Sequence, residues 1–299
     1  MKLQKIRKKI AKKYNKFEKF FLPKLFPLIV KDKFTRFPSS LNGHYNLSTS
    51  DSFYKIVTKN RKFFEEEKKL IIFIKNNHPE IGKIIPEYKY KKYLFGLILV
   101  RKTKILIPIE DEEESYETAK SFLVIFRNYS CRESVNLDQL FYLKKGLDIL
   151  KSLVLEDVYK KIEKLVIDFL ENEIFSIGFC HGDFHSKNLM KDQKNKYLID
   201  LDCIRKNSLQ EFDAIYFIIQ RITDDNIGIW WHEATRIFKD KVFQNKKYQD
   251  FLINFLDLNK LPTFILLYFL DRVGQDAKYM EINDKIPETE IINTIKSIL

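Results

Sequence analysis

The stretch that decides the fold reads His181-Gly182-Asp183-Phe184-His185-Ser186-Lys187-Asn188, followed further on by Leu198-Ile199-Asp200-Leu201-Asp202. Between the two lie Asn188 to Met190, a polar Asp192-Gln193-Lys194-Asn195, and Tyr197 to Asp200, the pattern of a short β-hairpin. The segment thus carries an Asp and an Asn five positions apart in a loop, with a second Asp at the end of a hairpin. One loop carboxylate can orient a hydroxyl and accept its proton. An amide oxygen and a second carboxylate are hard ligands suited to Mg²⁺. His-Gly-Asp alone is common, and a lone Asp on a hairpin usually solvates a turn. The base, the Asn, the hairpin and the second Asp together are far more specific.

The Asp-to-Asn spacing is that of the protein-kinase loop H-R-D-x-x-x-x-N. With Ile199-Asp200 added, the segment resembles the kinase-like phosphotransferases, which include aminoglycoside phosphotransferases, choline kinases and lipopolysaccharide-core sugar kinases. The motif covers about twenty residues, and the order of elements around it agrees over residues 38–222. The resemblance implies an α+β, protein-kinase-like two-lobed fold, with a small β-rich N-lobe, a larger helical C-lobe, and ATP and Mg²⁺ as cofactors. It makes Asp183 the catalytic base and Asn188 and Asp200 the metal ligands. His181 and Asp213 become supports of the loop, Asp213 matching an Asp that braces it from the following helix. His185 stands where protein kinases place a phosphate-touching Lys; a phosphate role and a loop-packing role both remain open. Asp202 either adds a metal contact or faces water, and Leu201-Asp202 in place of Phe-Gly points away from a protein kinase.

Working outward, the resemblance calls for a Lys on a strand and a Glu on the next helix. Lys55 lies within the apolar Phe53-Tyr54-Lys55-Ile56-Val57, where an unpaired buried charge is costly. The helix expected over 61–76 offers Glu65, Glu66 and Glu67. Only Glu67 shares a face with Phe63, Leu70, Ile71 and Ile74. A Lys55–Glu67 pair would aim Lys55 at the ATP phosphates; the alternative is a Lys55 that snorkels to an exposed face. The phosphate loop is reduced to Ser39 to Asn46, with Asn42 and Gly43 at its centre and no GxGxxG. Strands are expected over 52–58 and within 84–108, including Leu94 to Val100. A mostly helical pattern is expected from about 118, with one β interruption between Ile174 and Asp202.

Charge is concentrated at the start. Residues 1–36 hold 13 Lys or Arg against Glu18 and Asp32, a net +11 of the chain's +12. Leu3, Ile6, Ile10, Tyr14, Phe17 and Phe21 recur at helical steps, so residues 2–21 read as a basic amphipathic helix. An anionic membrane surface suits such an arm, and packing on its own lobe is the alternative; no nucleic acid is expected. The apolar run Phe20 to Val30 is interrupted by Pro23, Lys24 and Pro27, too broken to span a bilayer or serve as a signal peptide. These features suggest a cytoplasmic protein, peripheral on the inner face of the membrane. Three widely spaced cysteines fit a reducing compartment.

The expected organisation is a basic arm over 1–37, a nucleotide-binding N-lobe over 38–104 and a helical C-lobe over 105–299. The resemblance places the acceptor pocket after residue 222, with Asp202, Asp224, Trp230 and Trp231 as candidates. The Trp pair either stacks on a sugar or amine, or divides between core and surface. The acidic run Glu110 to Glu114 reads as a solvated loop that could attract a cationic acceptor. A sugar of a membrane-associated glycan is the expected acceptor. A choline- or aminoglycoside-type substrate and a non-catalytic scaffold are the alternatives.

Overall fold

The computed structural model describes residues 35–36, 44–58, 61–93, 98–226, 231–232, 234, 236, 245–279 and 286–298. They divide into two compact units, one from the chain up to Arg61 together with Glu87–Ile105, the other from Lys62–Pro86 together with Leu106 onward. The expected arm helix over 2–21, Asn42, Gly43 and Trp230 lie outside the described residues.

The first unit is a five-stranded antiparallel sheet. Its order is β1 (Thr35–Arg36), β2 (His44–Ser48), β3 (Ser52–Val57), β5 (Ile98–Lys104) and β4 (Lys89–Tyr93). Side chains alternate between faces along a strand. One face gathers Tyr45, Leu47, Tyr54, Ile56, Ile98 and Val100 into a buried cluster against which Tyr93 packs. Lys55 therefore belongs to the opposite face. Of the strand expected at Leu94 to Val100, Ile98 to Val100 lie in β5, which runs on to Lys104 and pairs with β3 from Val57↔Leu99 to Ser52↔Lys104; residues 94–97 lie outside the described residues.

The second unit is mainly helical and holds two small antiparallel sheets. One joins β6 (Ile107–Pro108), β9 (Leu189–Lys191) and β10 (Lys196–Leu198). The other joins β7 (Cys131–Glu133), β8 (Phe175–Cys180) and β11 (Arg205–Leu209). The β structure thus extends beyond the single interruption expected. β11 reads Arg-Lys-Asn-Ser-Leu, with little intrinsic β preference; antiparallel pairing with β8 forms it, around an irregularity between Arg205 and Ser208.

The acidic run is corrected as well. It opens the helix Glu112–Arg127 rather than forming a loop: the Asp111 side chain accepts a hydrogen bond from Glu114 N at 2.7 Å, and Glu112 to Glu114 fill the first turn. Glu114 also meets Lys191 at 2.6 Å and Lys196 at 3.2 Å, and Glu112 meets Lys247 at 3.0 Å. These carboxylates are committed within the chain, not offered to a cationic acceptor.

Two helices form the frame of the site. Glu211–Asn226 is buried over residues 211–219, with Phe212, Ala214, Ile215, Phe217, Ile218 and Ile219 filling the core. Leu261–Tyr279 is buried from 264 to 276, although it carries Asp271, Arg272, Gln275 and Asp276. It crosses the helix Phe141–Lys151 at backbone contact. A Cβ on Gly274 would lie 2.0 Å from Tyr142 O, and one on Gly146 would lie 1.9 Å from Leu270 O. Among the described residues no helix is long and apolar enough to cross a membrane. Gly274→Ala should lower stability by about 1–3 kcal/mol or more through overpacking. An unchanged thermal unfolding midpoint would show that this crossing tolerates a side chain.

Candidate active site

The loop that follows β8 is held by one buried carboxylate. Asp213 lies in the first turn of the Glu211–Asn226 helix and is 2% exposed, a position where an unpaired charge is unfavourable. Its oxygens accept from His181 N at 2.6 Å and Gly182 N at 2.9 Å. The fully buried His181 ring is fixed in turn. Its Nδ1 accepts from Asp183 N at 3.3 Å, which places the proton on Nε2, where it is donated to Ile199 O at 2.9 Å. The loop is thereby tied both to the core helix and to the hairpin that ends at Asp200. Phe184 sits fully buried between the loop and Phe217, so that Asp183 and His185 flank a core residue.

Asp183 is the reactive candidate. Its side chain is 28% exposed, with His185 Nε2 at 3.5 Å from Oδ2 and Arg272 Nη1 at 4.0 Å from Oδ1. Burial by itself would raise its pKa. The hydrogen bond and charge of His185, with the Arg272 guanidinium, outweigh this and hold the carboxyl well below the usual carboxylate range. His185 also lies edge-on to Tyr216 and within 3.1 Å of Asn188 Nδ2. Its Nε2 therefore faces the loop's own groups, an arrangement that fits the loop-packing alternative.

The two expected metal ligands stand side by side. Asn188 closes the turn Ser186–Asn188, and its O accepts from Ile199 N at 3.0 Å, next to Asp200. Asn188 Nδ2 donates to Asp183 O at 2.9 Å, so the amide nitrogen is occupied by the loop and the oxygen is the atom left for a cation. Asp200 is exposed and adopts left-handed φ, ψ of 58° and 59° at the hairpin's end, a conformation that Asp tolerates better than most residues. An amide oxygen and an exposed carboxylate flanking the two strands of the hairpin suit Mg²⁺, which takes few protein ligands and completes its shell with phosphates and water. Among the described residues no group of three or more His, Cys, Asp or Glu forms a metal cluster of its own.

The remaining expected residues are dispersed. Asp202 is half-buried in the turn Leu201–Cys203. Asp224 accepts from Lys187 Nζ at 2.7 Å, which ties this acceptor-site candidate to the loop. Trp231 is half-buried and edge-on to His232, whose Nε2 lies 3.3 Å from Glu290. In the sheet unit Lys55 is 6% exposed rather than snorkelled. In the helical unit Glu67 is 5% exposed, whereas Glu66 is exposed.

Several neighbours of Asp183 escape a reading of the motif. Arg272 Nη1 donates to Gly182 O at 2.7 Å, Gln275 Nε2 donates to the same oxygen at 3.1 Å, and the Arg272 guanidinium lies 4.6 Å above the Tyr216 ring. Asp276 lies 3.8 Å from Arg272, and burial pushes its carboxyl up to about 6 against the pull of that guanidinium. Their one signal in the sequence is a charged Asp271-Arg272 and Gln275-Asp276 inside an otherwise apolar helix. In the sheet unit Arg101 is buried and pairs in register across from Lys55.

The fold is the protein-kinase-like one that the loop's resemblance implies. Among solved structures the chain is similar to choline kinase LicA from Streptococcus pneumoniae, at 14% identity and a TM-score of 0.54, over 94% of this chain and 98% of that one. It is similar to wild-type aminoglycoside 2'-phosphotransferase-IIIa in a GDP complex, at 11% identity and a TM-score of 0.53, over 92% and 94%. Amicoumacin kinase hAmiN, in complex with AMP-PNP and Ca²⁺, matches at 12% identity and a TM-score of 0.51, over 91% and 92%. The likeness is one of fold. No protein-family model matches the chain, and no curated protein matches it by sequence.

Gly182 has φ of +77°, and a Cβ there would meet Cys203 O at 2.6 Å. Gly182→Ala should cost about 1–3 kcal/mol in backbone strain alone. Chemical denaturation checks this; equal stability of the variant would show that the loop can rearrange.

Proposed function

We propose that the protein transfers the γ-phosphate of ATP to a hydroxyl of a small molecule or sugar. The observation that carries this reading is the loop itself: a partly exposed Asp183 whose carbonyl accepts from Asn188, with Asp200 next to Ile199, the residue that bonds Asn188 O. The shared fold supports it, since the similar structures named above are kinases and a phosphotransferase, two of them with a nucleotide or analogue bound.

Asp183 orients the acceptor hydroxyl and takes its proton as the new O–P bond forms. The bond from the γ-phosphorus to the β–γ bridging oxygen breaks, and ADP leaves. Asn188 Oδ1 and the Asp200 carboxylate are the groups that would hold Mg²⁺, which when bound neutralises charge on the phosphate oxygens. Lys55 is assigned to the phosphates, with Glu67 as its partner, and the thin segment at Asn42 and Gly43 to the phosphate loop. His181 and Asp213 keep the loop in place, and His185 holds Asp183. Intact Asp183, Asn188 and Asp200 weigh against a non-catalytic scaffold.

The acceptor is assigned only by class. Asp202, Asp224, Trp230 and Trp231 are its candidate contacts, and a choline- or antibiotic-like substrate is compatible with the fold. The basic, apolar-striped sequence of residues 2–21 favours a second reading, in which the acceptor is a sugar of a membrane-associated glycan such as the lipopolysaccharide core.

Asp183→Asn should abolish transfer while leaving nucleotide affinity within about twofold, since the base acts on the acceptor and not on ATP binding. The assay is transfer from labelled Mg-ATP to a panel of choline, aminoglycosides, free sugars and lipid-linked core sugars. A wild-type protein that neither binds Mg-ATP nor labels any of them would sink the proposal. For the second reading, deletion of residues 2–21 should release the protein from anionic vesicles in a flotation assay. Equal vesicle binding by both forms removes the membrane argument.

A further inference from the structure

A glycine with left-handed backbone is the least constrained point in a loop, because nothing in its side chain holds the flanking peptides. Gly182 is that point here, and Asp183 follows it directly. Rotation of the 182–183 peptide would carry the Asp183 Cα–Cβ bond with it. The site therefore needs Gly182 held on both sides. Asp213 holds its N–H.

The other side is held from far along the chain. Gly182 O accepts from Arg272 Nη1 at 2.7 Å and from Gln275 Nε2 at 3.1 Å, donors 90 and 93 residues downstream. A carbonyl oxygen can only accept, so the Gln275 amide must present its nitrogen here. Both side chains are buried. The guanidinium is steered by Asp276 at 3.8 Å, by Asp183 at 4.0 Å and by the Tyr216 ring beneath it. A single planar fork thus faces the loop carbonyl and two carboxylates at once, which a Lys ammonium cannot do in the same geometry. The helix carrying these donors is seated by the Gly274–Gly146 crossing, one residue from Gln275.

We propose that Arg272 and Gln275 are positioning residues for Asp183, acting through the Gly182 carbonyl. The assignment rests on the phosphotransfer reading, and it adds to that reading a pair of donors outside the loop motif. It expects turnover, not nucleotide affinity, to depend on them.

The test uses full-length protein with Mg-ATP and water as the acceptor, following ADP release, together with the affinity for a fluorescent ATP analogue and a thermal melt. Arg272→Met should lower kcat by about tenfold or more with analogue Kd within about twofold, and Arg272→Lys should recover part of the loss. Gln275→Leu, which leaves every charge in place, should lower kcat several-fold with the same unchanged Kd. Folded variants with wild-type kcat overturn the proposal, as does a kcat that falls only in step with Kd or with the folded fraction. If Arg272→Met does not fold, Gln275→Leu decides by the same criteria. Wild-type protein that binds no ATP analogue and releases no ADP overturns the phosphotransfer reading instead, and this assignment falls with it.

Discussion

The Asp213 carboxylate is the constraint on which the rest of the site depends. It lies on a helix buried on all sides, where water cannot solvate it, so its two oxygens must be satisfied from within the chain. The backbone N–H groups of His181 and Gly182 meet that need. The same two bonds that make the charge tolerable in the core set the start of the loop. The His181 ring extends the tie to the hairpin, and Asn188 and Asp200 follow as neighbours across it. Core stability and site geometry are therefore one set of interactions, not two.

Most of the loop was legible in the sequence because its parts are close along the chain. The 181–188 run, the hairpin and Asp213 all lie within about thirty residues. Helical periodicity was equally informative about burial: among three adjacent glutamates it singled out Glu67, which is buried while Glu66 is exposed. What escaped notice depends on tertiary pairing. β11 has no β signature of its own and exists because β8 offers an edge. The run at 110–114 reads as a solvated loop by its charge, although Asp111 with Glu114 three residues on is a local helix-start signal; that Lys191 and Lys196 meet Glu114 is not local. Arg272 and Gln275 could have been suspected only from polar residues within an apolar helix. Their target carbonyl lies some ninety residues earlier, and no periodicity encodes it.

This division also explains how the fold is kept at 11–14% identity to choline kinase and to aminoglycoside phosphotransferase. Few positions are dictated by atomic contacts that one residue type alone can make: a glycine at positive φ, a buried acid with two amide donors, a pair of glycines where helices touch. The remaining core needs volume and apolarity, which many sequences supply. Among the described residues the candidates proposed for the acceptor are scattered: Asp224 pairs with Lys187, and Trp231 packs beside His232.

The placement of Arg272 and Gln275 has a consequence in time. The loop emerges from the ribosome about ninety residues before the helix that completes its hydrogen bonds. During that interval a nascent chain holds Gly182 from one side at most. The helix Leu261–Tyr279 sets the glycine's carbonyl, so the geometry around Asp183 is finished only after that helix has been made.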